Sequence, residues 1–207
     1  MEIYSNSVTD GERAKDSLAL AVPATDNHVT FSANRNPHLA WSGAPDETQS
    51  FVVTCIDVDC PSAPDDVNQE DREVPASLPR VDFVHWLLAD IPAETTEIAE
   101  GSHSDGVTPR GKPADAAPIG IHGVNSYTDW FAGDTDLDGT WHGYDGPAPP
   151  WNDSIPHRYV FTVHAMDVAS LGLVEGFSYD DLQAAMEGHV LDSASLTMTY
   201  TVNPRLR

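Results

Sequence analysis

The 207 residues carry 33 aspartates and glutamates against 10 lysines and arginines, a formal charge of −23 spread along the whole chain. Such a surface repels nucleic acid and anionic membrane and argues against both as partners. The 40% apolar share, with five tryptophans, six tyrosines and six phenylalanines, is that of a folded globule rather than a disordered acidic chain.

In chain order, residues 1–35 are polar, with short apolar pieces at 18–22 and 29–31 that read as strands. Trp41 precedes Ser42-Gly43-Ala44-Pro45, a run of turn residues. Residues 51–56 are apolar and β-branched, the mark of a buried strand, and end in Asp57-Val58-Asp59-Cys60-Pro61-Ser62. An acidic, Pro-rich loop over 63–80 separates them from a second buried strand at 83–89, FVHWLLA. Residues 93–142 keep no period and read as long loops with fragments of structure. A third strand follows at 158–165. Ser178 with Asp181 forms a variant capping box, and Leu182, Ala185, Met186, His189 and Val190 then recur at helical spacing. A last strand is expected at 196–202. Strands divided by long loops, with one late helix, imply a mainly β fold, an antiparallel β-sandwich edged by helix.

Charge and termini add expectations about setting. Self-repulsion on this scale favours expansion unless counter-ions screen it, and at molar salt the Debye length falls to about 3 Å. Adaptation to a very salty cytosol is therefore predicted. The N-terminal stretch MEIYSNSVTDGERAK has no basic n-region and no apolar h-region, so no signal peptide is expected. An apolar run of about 18 residues, the length that spans a membrane, does not occur. Cys55 and Cys60 form no CxxC pair and are expected to be reduced thiols in a cytoplasmic protein.

The third strand is preceded by GYDGPAPPWNDSIPHRY, residues 143–159. Its prolines, Pro147, Pro149, Pro150 and Pro156, stiffen it, so it loses little entropy on folding. In an extended chain His157 and Tyr159 face one side and Arg158 the other. The pair reads either as the floor of a small polar pocket or as a buried His and Tyr that satisfy each other.

Three pieces stand in order: 57–62, then His85-Trp86-Leu87-Leu88-Ala89-Asp90-Ile91-Pro92, then GYDGPAPP running to His157-Arg158-Tyr159. Together they resemble the phosphatidylethanolamine-binding protein family, in its prokaryotic Raf-kinase-inhibitor-like branch. Asn36-Pro37, Trp41-Ser42-Gly43, Gly123-Val124-Asn125 and Thr199-Tyr200 fit as well, so the likeness covers about residues 36–203. The resemblance implies a sandwich with a large central sheet and one or two peripheral helices, and a single domain over residues 1–207. It also implies a small anion pocket at the sheet edge, lined by Asp57, His85, His157 and Tyr159 with Pro150 on the rim. The ligand it implies is phosphate, a phospholipid head group or a carboxylate. No cofactor follows from it, and it suggests a homodimer. Val58 and Cys60 depart from the family's usual Pro and Ala, and the stretch between Asn125 and Gly143 is longer and more acidic than the family's.

An anion needs hydrogen-bond donors where water competes poorly. Asp57 fits beside one if it accepts from a histidine nitrogen, raising that ring's pKa so that the other nitrogen donates outward. Binding is then expected to be weak and to tighten as pH falls. The blander reading makes Asp57 and Asp59 turn residues before Pro61, and His85 a core histidine bonded to backbone. Arg158 is expected to pair with an acid.

Rival signals are weaker. Asp134-Thr135-Asp136-Leu137-Asp138-Gly139 with Asp145 at the twelfth position follows a calcium loop, but Asp145 stands where Glu is expected and no helices flank it. GVTPRGKP at 106–113 imitates a P-loop and lacks its hydroxyl at Pro113. HExxH, GxSxG and GxGxxG are absent. Three functions are weighed: a non-catalytic binding module for a small phosphorylated or carboxylated ligand, an inhibitor of a kinase or protease acting through the Pro-rich rim, and a metal-dependent phosphoester hydrolase built on Asp57, Asp59, His85 and His157. Binding ranks first, inhibition second and catalysis third.

Overall fold

Residues 51–56 are apolar except for Thr54 because two cores claim them. Phe51, Val53 and Cys55 join one buried cluster while Val52 and Ile56 join another on the opposite face. A strand covered on both sides has this pattern. A computed structural model describes residues 1–207.

The strands are β1 (Glu2–Tyr4), β2 (Ala21–Ala24), β3 (His28–Phe31), β4 (Leu39–Ser42), β5 (Ser50–Pro61), β6 (Arg80–Pro92), β7 (Glu97–Ile98), β8 (Ile121–His122), β9 (His157–Met166) and β10 (Val190–Tyr200). Two helices accompany them, α1 (Tyr127–Trp130) and α2 (Tyr179–Met186). A five-stranded antiparallel sheet in the order β10-β9-β5-β6-β8 forms the centre. A three-stranded sheet, β1-β4-β7, packs over one face, where Leu39, Trp41 and Ile98 meet Val53, Trp86, Leu88, Phe161 and Met198. On the other face Leu182 of α2 and Phe177 pack against Val52, Leu87 and Ala89. The β-sandwich with a large central sheet and peripheral helices is the architecture found. Cys55 and Cys60 are free thiols.

β6 and β10 run longer than the 83–89 and 196–202 pieces, and three further differences from the sequence reading have local causes. The 18–22 piece opens as a 3-10 turn at Asp16–Leu18, and only from Ala21 does a strand begin. The 51–56 strand runs on through Pro61, because Cys60 and Pro61 still pair with Val81 and Arg80. The helix keeps its capping box, in which Ser178 and Asp181 bond reciprocally, yet it stops at Met186. Gly188 takes φ 80°, a left-handed conformation that ends helices, so His189 and Val190 leave the helix and Val190 starts β10.

Candidate functional site

Three neighbouring strands set out the floor of a cavity in register. Asp57 of β5 lies opposite Tyr159 of β9 on one side and Phe83 of β6 on the other. His157, two residues before Tyr159, shares its face of β9 by the period of a strand. His85 reaches the same place through a bulge. The pairing jumps from Cys55–Trp86 to Ile56–Val84, leaving His85 without a cross-strand partner. Val84 therefore faces one core and Trp86 the other, and the histidine between them is re-aimed. Its ring lies edge-on to Tyr159 at 5.0 Å and to Tyr127 of α1 at 5.4 Å.

The cavity encloses about 250 Å³, and Asp57, His85, Pro150, His157 and Tyr159 all line it. Its walls are apolar: Phe83, Tyr127 and Trp130 on one flank, Pro61 and Pro64 on another, and Ala148, Pro149 and Pro150 along the rim. It opens at the ends of β5 and β9, two inner strands, rather than at a lateral edge of the sheet. The edge position expected from the resemblance is corrected accordingly, since the long β5–β6 loop and the Pro-rich segment meet over the strand ends.

His157 is the charged centre. Its Nδ1 donates to Asp57 Oδ2 at 2.7 Å and its Nε2 to Asp153 Oδ2 at 3.0 Å. A ring that donates from both nitrogens is an imidazolium. Burial opposes that charge, but the hydrogen bonds to Asp153 and Asp57 outweigh it and raise the pKa to about 9. Asp153 is further clamped by Arg80, whose Nη1 and Nη2 reach its two oxygens at 2.6 and 3.1 Å. Arg158 pairs with Asp59 through Nε and Nη2 at 2.8 and 2.9 Å. Each buried charge thus has a partner, and the cavity carries no uncommitted cation. The histidine that Asp57 engages is His157, and its second nitrogen, expected to donate outward, is instead taken by Asp153.

His85 behaves differently. Its Nδ1 donates to the Asp145 carbonyl at 2.7 Å, which leaves Nε2 uncommitted. Burial keeps its pKa below the ordinary value, although Asp57 pulls the other way. The two readings of His85, pocket residue and backbone-bonded core histidine, are both true of it. For Asp57 likewise, Oδ2 meets His157 while Oδ1 accepts the Asp59 N–H at 2.8 Å. His157 and Tyr159 do not satisfy each other: their rings lie 6.5 Å apart, and the Tyr159 hydroxyl is buried with no hydrogen-bond partner.

The sequence comparisons bear on this arrangement. The family model described as phosphatidylethanolamine-binding protein matches residues 5–201. The chain belongs to that family. It is 31% identical over 201 residues to the YbhB protein of Escherichia coli, covering 97% of this chain and all 100% of YbhB. A relative from Methanothermobacter thermautotrophicus is 33% identical over 167 residues, 81% of this chain and 83% of that one. Among solved structures, Escherichia coli YbcL superposes with a TM-score of 0.66 at 23% identity over 98% of both chains. A homologue from Chlamydia trachomatis gives 0.64 at 24% identity, over 96% of this chain and 95% of that one. These structural likenesses establish the shared fold.

The calcium-loop reading is overturned. Asp145 is fully buried, and its oxygens accept from Lys112 Nζ at 2.6 Å, Asn34 Nδ2 at 2.7 Å and Asn125 Nδ2 at 2.9 Å. Asp134 instead caps its own turn by accepting the Asp136 and Leu137 N–H groups. Lys112, from the P-loop imitation, is the buried partner of Asp145. No three His, Cys, Asp or Glu side chains are grouped to hold a metal ion, including Asp57, Asp59, His85 and His157. No helix is long and apolar enough to cross a membrane.

Sequence reasoning missed Asp153, Arg80 and Tyr127. Asp153 sits four residues before His157 inside the stiff segment, which is a usable signal. Arg80 and Tyr127 lie 77 and 30 positions from His157 in long loops or at their ends, and nothing local marks them.

Proposed function

We propose that this protein binds a small phosphorylated or carboxylated ligand, without transforming it, in the cavity over β5 and β9. One observation carries the reading: side chains from distant parts of the chain line one cavity whose walls are apolar, and a buried Tyr159 hydroxyl there has no partner within the protein. Buried hydroxyls are nearly always satisfied, so a group left free at the floor of a cavity marks where a ligand atom belongs. The apolar walls favour an organic ester or acid over a bare ion.

The absence of a poised nucleophile supports binding over chemistry. Cys60 lines the cavity, but burial first and Asp57 second push its thiol up to about 12, so no thiolate forms at neutral pH. His157 is held as an acid between two carboxylates and has no free lone pair to act as a base. The match over residues 5–201 supports one domain over the whole chain. The test is calorimetric titration of phosphate esters and short carboxylates in molar potassium chloride, wild type against Tyr159→Phe. Loss of the phenol hydroxyl is expected to weaken binding about tenfold, since one good hydrogen bond is worth roughly 1.5 kcal/mol. Equal affinity in both proteins removes Tyr159 from the site.

A further inference from the structure

The cavity has an unusual balance for an anion site. Arg80 and Arg158 are bound to carboxylates, and both nitrogens of His157 are spent on Asp57 and Asp153. On the strand floor, what is left for an occupant is the Tyr159 hydroxyl and the Nε2 of His85; elsewhere the lining adds the Ser62 hydroxyl, the Asn68 amide and the Trp130 indole N–H. Because His85 Nδ1 faces a carbonyl oxygen, Nδ1 must carry the hydrogen, and the neutral ring presents a lone pair at Nε2. The groups around this ring are Asp57 from β5, Phe83 from β6, His157 and Tyr159 from β9, Tyr127 from α1 and the Asp145 and Gly146 backbone of the Pro-rich segment. None of them gives the ring a second proton: Asp57 is already engaged by His157, and burial holds the His85 pKa below its ordinary value.

We propose that the ligand must itself donate a hydrogen bond to His85 Nε2, so that the cavity accepts protonated oxyacids and discriminates against anions of the same charge and shape that carry no hydrogen. This rests on the binding reading above and adds a rule of selection to it. An acceptor-only anion would meet a lone pair at Nε2 beside the carboxylate of Asp57, and Nε2 would stay without a donor. A hydrogen phosphate, or a phosphomonoester in its monoanionic form, brings the missing hydrogen and still offers oxygens to Tyr159. A phosphodiester without another donor has none to give.

Inorganic phosphate and sulfate decide the matter, because in mildly alkaline buffer both are tetrahedral dianions and only hydrogen phosphate keeps a proton. Calorimetric titration of the wild-type protein in molar potassium chloride is expected to show phosphate binding about ten- to a hundredfold tighter, the range set by leaving one buried acceptor unpaired. A phosphomonoester is expected to weaken as pH rises through its second pKa of about 6, whereas inorganic phosphate persists above it. In imidazole nitrogen NMR, the Nε2 resonance of His85 moves toward its hydrogen-bonded value with phosphate and not with sulfate. Sulfate binding as tightly as phosphate overturns the donor rule and leaves the binding reading standing. If neither anion binds, and esters and carboxylates are also silent, the binding reading fails and the rule goes with it.

Discussion

Lys112→Met tests how the site is held in place. Asp145 is completely buried and Lys112 nearly so, and the pair is joined at 2.6 Å. At an effective dielectric of about 20, two charges at that separation attract by roughly 6 kcal/mol, much of which is offset by the desolvation of both. Removing the lysine leaves the carboxylate with two asparagine amides and no cation. A buried pair broken in this way costs about 3–5 kcal/mol. For a chain of this size that lowers Tm by roughly 6–20 °C. Burial pushes the Asp145 carboxyl above its ordinary pKa even with Lys112, Asn34 and Asn125 pulling it down. Without Lys112 it takes up a proton at still higher pH, so the folded state gains the proton before the unfolded one and the variant recovers stability as pH falls. The same residue carries the backbone contacts that set His85: the His85 ring donates to its carbonyl, and its N–H donates to the His85 carbonyl at 3.0 Å. The assay is urea unfolding in molar potassium chloride for Lys112→Met, Asp145→Asn and the double variant. The double variant is expected to be more stable than Lys112→Met, because no unpaired charge is left. A single-variant loss under about 1 kcal/mol, or a double variant no better than the single, refutes the account.

Other outcomes follow from the titrating groups and the close contacts. Burial lowers the pKa of His103 to about 4 and of His122 to about 3. Their stabilising contribution is complete above the unfolded value of about 6.5 and falls with pH below it, by about 2 kcal/mol for each at pH 5. The urea midpoint against pH reads this, and His122→Leu flattens the acid limb. His157 acts in the opposite sense: its stabilising contribution is full below about pH 6.5 and is lost as pH rises through its folded pKa of about 9, a span worth roughly 3 kcal/mol. An alkaline limb that survives in His157→Gln counts against it. Gly146→Ala places a Cβ 2.0 Å from the Leu18 carbonyl oxygen, and it is expected to destabilise the protein by about 3 kcal/mol or more in the same unfolding assay. Dialysis from molar salt into dilute buffer is expected to reduce the far-UV circular dichroism, since the −23 charge is then unscreened.

Local pattern determined a good deal of this protein. The mostly apolar runs at 51–56, 83–89 and 158–165 are the middles of β5, β6 and β9, because β5 and β6 are covered on both faces and β9 keeps one face, Tyr159, Phe161, Val163 and Ala165, in the core. Ser178 and Asp181 announced α2, because a capping box is complete within four residues. The order of the Asp57, His85 and His157 pieces likewise marked the family. Tertiary structure decided what those side chains do. Whether His157 donates outward or is held on both sides depends on where the loop carries Asp153, and whether Asp145 binds a cation depends on Lys112, 33 residues earlier. The bulge that turns His85 toward Tyr159 exists only as a mismatch between β5 and β6. Charge pairing and register are relations between segments far apart in the chain, and hydrophobic period, which records only which face of an element is buried, carries no information about them.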